Sequence, residues 1–175
     1  QGSCSASQHL ACFGQTVPDT CAKLSPSTVT VNLHEPEIQT NYQYKAATLK
    51  SMSNRYGEHQ VVVLGLTKGQ ALANAKVGVQ LIRNAASGWE CATHQVVVDI
   101  GYQPITIYVG REFPEGSCAF KEIYAHEMLH AEVFRKHARA MAREIEAALR
   151  QRFIGAAPTR GPIGSTREAI EKELN

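Results

Sequence analysis

The stretch "EIYAHEMLHAEVFRKHARAM", Glu122 to Met141, decides how the chain is read. It sets His126 and His130 four residues apart, with Glu127 directly after the first histidine. No Gly or Pro interrupts the sequence from Cys118 to Phe153, so the pattern predicts one long helix over 118–153. Four residues advance a helix by about 400° and about 6 Å, which brings both imidazoles to one face on consecutive turns. Two imidazoles so placed reach a single zinc ion at ~2.0–2.1 Å. A glutamate about 100° round from His126 flanks that ion without needing to bind it. A carboxylate there can take a proton from water that zinc has made acidic. His126 and His130 are therefore the candidate metal ligands, Zn²⁺ the candidate cofactor and Glu127 the candidate catalytic base. The alternative is that all three are polar residues on a helix surface.

Around this helix the sequence supplies boundaries. "PEGS" precedes it, and Ser117 is the expected N-cap. In its second half Phe134, Ala138, Met141, Ile145 and Ala148 repeat with 4-3-4-3 spacing, a face to be buried within the chain or against a second copy in a homodimer. "GAAPTRGPIG" ends the helix as a linker, and "STREAIEKELN" carries a capping-box pattern from Ser165 to Glu168, predicting a short final helix. Upstream, "STVTVNLHE" (Ser27–Glu35) alternates as a strand should. A second strand is expected at Gln60–Leu66, then a helix through "GQALANAKV". "CATHQVVVDIGYQPITIYVGREF" reads as two strands around a Gly101–Pro104 turn. "EIQTNYQYKAATLKSMS" fits helix or strand. The expected organisation is a polar, Cys-containing segment at 1–27, an α+β domain at 28–153, and a linker with a short helix packing on it at 154–175. The sheet is expected to be mostly antiparallel and packed on the long helix.

A chain of 175 residues is long enough for one domain with its own core and short for two. The longest apolar runs, "QVVVLGL" and "HQVVVDI", are strand-length and far below a membrane span. A net charge of +2 gives no ground for nucleic acid, and the basic cluster at Arg135–Arg143 has no aromatic residues interleaved with it. None of the five cysteines forms a CxxC pair, which argues against a zinc ribbon or a thioredoxin-type motif. Cys91–Cys118 is the expected disulfide, Cys12–Cys21 a second, and Cys4 is left over as free, paired elsewhere or lipid-anchored. Disulfides point to an oxidising compartment, secreted or periplasmic. The chain begins at Gln1 without Met and reads as a mature product whose export signal is not visible.

"HEMLH" resembles the active-site helix of the zincin superfamily of zinc metallopeptidases. The resemblance implies a small zincin-like domain with His126 and His130 as the first two ligands and Glu127 as general base. It also implies a sheet over the helix whose edge strand pairs with an extended peptide or protein substrate, and Ile105–Phe113 is the candidate strand. Over residues 60–153 the layout resembles the bacterial family of predicted secreted zinc-dependent proteases. The shared features are a "GLT" element followed by a helix, a Cys-led pair of strands, and HExxH opening a long helix. "HEMLHAEVF" is also similar to SprT-like proteases, but their His-Gly third-ligand motif is absent here.

Metzincins place a third histidine after a glycine turn; Val133 and Lys136 occupy those positions here. His137 lies eleven residues after His126, about 16 Å along a continuous helix, beyond the reach of one ion. Glu144 and Glu146 fail on the same distance. Glu168 and Glu171 on the final helix remain, with His34, Glu35, His59, His94 and Glu112 upstream; His94 and Glu168 lead this group. Tyr102, Tyr108 and Arg111 are candidates for stabilising a charged tetrahedral intermediate. The expected function is that of a zinc-dependent peptidase. Its alternatives are a zinc-binding but non-hydrolytic envelope or scaffold domain, and a metal-free helical interaction protein.

Overall fold

The computed structural model describes residues 20–53 and 62–174. A 3-10 turn at Thr20–Lys23 precedes β1 (Thr28–His34), β2 (Ile38–Asn41), α1 (Ala46–Met52), β3 (Gly65–Asn84) and β4 (Trp89–Val109). There follow α2 (Cys118–Phe153), β5 (Thr159–Pro162) and α3 (Ser165–Leu174). Helix and sheet are mixed, as an α+β reading requires. The described residues fall into two compact units, one built from 20–28, 77–95 and 153–174, the other from 29–53, 62–76 and 96–152.

The second unit carries HExxH. Its helix α2 spans the residues expected, and Ser117 Oγ accepts the Phe120 amide at 3.1 Å. That bond satisfies one of the amides a helix start leaves without an intrahelical partner. Ile105, Ile107 and Val109 alternate inward on β4 and meet Ala131 of α2, each at most 1% exposed. Ile123, Met128 and Phe134 of α2 pack around them at helical spacing. The apolar stripe is thus partly covered by its own chain: Phe134 joins this core and Ala138 is buried, while Ala148 is exposed.

Four expectations about the strands need correction. The sheet is not simply antiparallel: β2 runs parallel to β4, in the register Ile38↔Ile105 to Asn41↔Tyr108. The chain between them, through α1 and β3, is long enough for the crossover that parallel pairing needs. "GQALANAKV" is strand, inside the 20-residue β3, because pairing with β4 overrides the helix preference of its Ala, Gln and Lys residues. Gly101–Pro104 is no turn either, since β4 runs straight through it as a 21-residue strand. Gly101 lies where a Cβ would stand 2.5 Å from the His34 carbonyl oxygen, so its role is close approach of β1. The strand expected at Gln60–Leu66 begins at Gly65, and residues 60 and 61 lie outside the described residues.

In the first unit, Cys21 and Cys91 form the disulfide, Cα atoms 5.7 Å apart. This corrects both expected pairings: Cys91 is buried against Cys21, and Cys118 is a free, exposed thiol at the start of α2. Cys4 and Cys12 lie outside the described residues. The expected linker contains β5, antiparallel to β4 in the register Trp89↔Pro162 to Ala92↔Thr159. Helix α3 forms as expected, with a different cap. Ser165 Oγ donates to the Pro162 carbonyl, and the Thr166 amide and hydroxyl donate to Glu90 Oε1. Arg83 Nε donates to the other oxygen of Glu90 at 3.0 Å. The Thr166 hydroxyl bond, with help from Arg83 and the Gly164 and Thr166 amides, outweighs burial and holds the Glu90 carboxyl at about 2. Among the described residues no helix is long and apolar enough to cross a membrane.

Candidate metal centre

Helix periodicity does what the spacing predicts. The rings of His126 and His130 stand on consecutive turns, centroids 4.8 Å apart and planes 82° to one another. Both side chains are exposed, and their Nε2 atoms lie 3.1 Å apart. That separation tests the site for zinc. An ion ~2.05 Å from each nitrogen would subtend about 98° at that spacing, close to the ~109° of a tetrahedral centre. The donor set fits as well, since one imidazole nitrogen from each of two consecutive helix turns is a ligand pair that zinc takes.

Glu127, about 100° round the helix, turns inward and is 6% exposed. One ligand atom from each of His126, Glu127 and His130 lies within 4.8 Å of the other two. Glu127 Oε2 accepts the Thr67 hydroxyl at 2.6 Å, and the same hydroxyl lies 3.0 Å from the Glu127 carbonyl oxygen. β3 thus comes close to α2, and Gly65 permits it. A Cβ at Gly65 would lie 2.7 Å from Ile123 Cγ2 and 2.9 Å from Glu127 Cγ.

The two elements form the walls of a cleft of about 860 Å³. Val62–Gly69 lines it on one side and His126, Glu127, His130 and Val133 on the other, with Met52 and Ser53 of the α1 end also present. Among the described strands β3 pairs with β4 alone, so its second edge is open. This corrects the expected substrate strand. Ile105–Val109 is central, bonded to neighbours and buried at Ile105, Ile107 and Val109, and cannot offer an edge; among the described residues the strand that borders the site with an unpaired edge is the start of β3.

Among the described residues His126, Glu127 and His130 are the one cluster of this kind. The structure does not gather His94 or Glu168 with them. His94 sits 5.4 Å from the Phe153 ring in the first unit, and Glu168 is exposed on α3. The other sequence candidates are engaged elsewhere. His34 bonds Asp99 at 2.8 Å, Glu35 meets Arg139, Glu146 meets Arg150, and His137 stands 6.4 Å from the Tyr102 ring. Glu112 accepts the Ala46 amide at the start of α1; its own backbone amide first, then that of Ala46, pull its carboxyl below the usual range. Glu144 is exposed on α2 outside the cluster. His59 and the Glu171 side chain lie outside the described residues. Tyr102, Tyr108 and Arg111 do not line the cleft: Tyr102 packs edge-on against Phe134, and Tyr108 faces Tyr44.

What the sequence reading missed is Thr67 and the open edge beside it. "GLT" marks the place as a resemblance, but nothing local to Thr67 names Glu127, 60 residues away, as its partner. No protein-family model, curated protein or solved structure matches the chain.

Proposed function

We propose that the chain is a zinc-dependent peptidase acting outside the cytoplasm, with an extended peptide as substrate. The observation that carries this reading is the convergence of two histidine nitrogens and one buried, hydrogen-bonded carboxylate on a cleft wall that faces an open strand edge. His126 and His130 hold the metal through Nε2, as neutral imidazoles. Zinc, when bound, supplies Lewis acidity to the scissile carbonyl and to water. Glu127 takes the proton of the attacking water and delivers it to the departing amine. The substrate backbone aligns along 65–69, where an added strand finds amide and carbonyl partners. The Cys21–Cys91 disulfide supports an oxidising compartment, secreted or periplasmic.

Metal analysis of protein purified without chelator tests the first half of the reading. About one zinc per chain is expected, as for a single mononuclear site, and His126→Ala loses it. Wild-type protein that carries no zinc and takes up none overturns the proposal and favours the metal-free interaction protein. Glu127→Gln keeps the metal and loses hydrolysis of a peptide library made from a digested proteome. Zinc without hydrolysis in the wild type favours the scaffold alternative. The same metal analysis on His59→Ala tests the one histidine candidate that lies outside the described residues.

A further inference from the structure

The Thr67 hydroxyl is the hydrogen-bond partner of the Glu127 carboxylate among the described residues, at 2.6 Å from Oε2. It touches the same residue twice, since the Glu127 carbonyl oxygen is 3.0 Å away. Glutamate has three side-chain torsions, and freezing them is among the larger entropic costs a side chain can carry. A base that must meet a proton within hydrogen-bond reach works only in the small fraction of rotamers that aim it correctly. Burial alone does not aim it: the wall beside Glu127 is the bare backbone of Gly65, which restricts position but offers no side-chain donor. The hydroxyl does aim it, because a donor on a strand fixes one of the two carboxylate oxygens of a residue that lines the cleft. The charge-assisted bond is short, as such bonds are. Threonine suits this task, since its β-branch favours the strand and locks χ1, so the donor is itself rigid.

We infer that Thr67 is a positioning residue for the reaction proposed above: it holds Glu127 in the rotamer from which the carboxylate acts as base. The inference rests on the peptidase reading, and its test separates the two. Thr67→Val preserves shape and removes the hydroxyl; Thr67→Ser restores the hydroxyl. For the best-cleaved peptide of the digested-proteome library, Thr67→Val should lower kcat by roughly ten- to a hundredfold, the size of a misplaced catalytic group. KM and zinc content should stay within about twofold, and Thr67→Ser should recover most of kcat. The second readout needs no activity. In zinc-free protein labelled with ¹³C at glutamate Cδ, the Glu127 resonance is identified by its absence in Glu127→Gln. It should shift in Thr67→Val towards the exposed glutamates and return in Thr67→Ser. An unmoved resonance in Thr67→Val overturns the inference, as does a moved resonance with unchanged kcat, which would make the bond structural only. Loss of zinc or a raised KM as the main effect overturns it too. A wild type without hydrolysis overturns the peptidase reading and Thr67's part in catalysis with it, while the resonance still reports whether the bond exists.

Discussion

Gly65 has room for a hydrogen and nothing larger. A methyl group there would press on Ile123, on the Glu127 side chain and, at 3.0 Å, on the Tyr108 carbonyl oxygen. Gly65→Ala must push β3 off α2, at a cost of about 1–3 kcal/mol as overpacking usually has. Urea unfolding should show that loss, and on the proposed peptidase reading kcat should fall alongside stability, because Thr67 moves with the strand. If Gly65→Ala unfolds at the wild-type midpoint, the close approach of strand and helix is wrong. The same residues show how much of the site could be read beforehand. His126, Glu127 and His130 are set by local helix geometry, which five letters suffice to specify. Thr67 and Gly65 contribute through a tertiary approach, and a threonine or a glycine carries no sign of which distant residue it will meet.

At the scale of elements, α2 was legible to the residue because its signals are local: a serine cap, 36 residues without Gly or Pro, and an apolar stripe. β3 and β4 were not. Their Ala-rich and Gly/Pro-containing segments take the conformation their neighbours impose, and strand pairing is a long-range property. The attachment of α3 is a further case, since Glu90, not the sequence-local Ser165–Glu168 pair, receives the Thr166 amide of its first turn. That contact sets a pH dependence. The Glu90 carboxyl is depressed from 4.5 to about 2 by the Thr166 hydroxyl and its other donors. A depressed carboxyl contributes stability that is fully present above its ordinary value and is lost as pH falls through the depressed one. Packing around α3 should therefore weaken progressively between pH 4.5 and about 2. Trp89, the chain's single tryptophan, adjoins Glu90 and can report it by fluorescence. Glu90→Gln should be less stable at neutral pH and flatter across that window; a wild-type slope in the variant would assign the acid sensitivity to other groups.

For the whole molecule, the disulfide between Cys21 and Cys91 closes a loop with a sequence separation of 70. Chain-entropy reasoning gives such a link about 4 kcal/mol of stabilisation through the unfolded state. Denaturation with and without reductant should show a difference of that order, and Cys118→Ser should leave it unchanged because Cys118 is free. A reduced protein as stable as the oxidised one would remove the disulfide as an argument for export. The bond between Thr67 and Glu127 has a different kind of consequence, one of timing. The two histidines need only a helix, which forms locally and early, whereas the clamp on Glu127 joins residues 60 apart and must wait for the chain to close. On the proposed reading, a chain still emerging during synthesis or export can hold a metal before it can cut. On that same reading, full hydrolytic rate would come only with the completed fold, because the order in which the parts come together places the helix before the bond that steadies its glutamate.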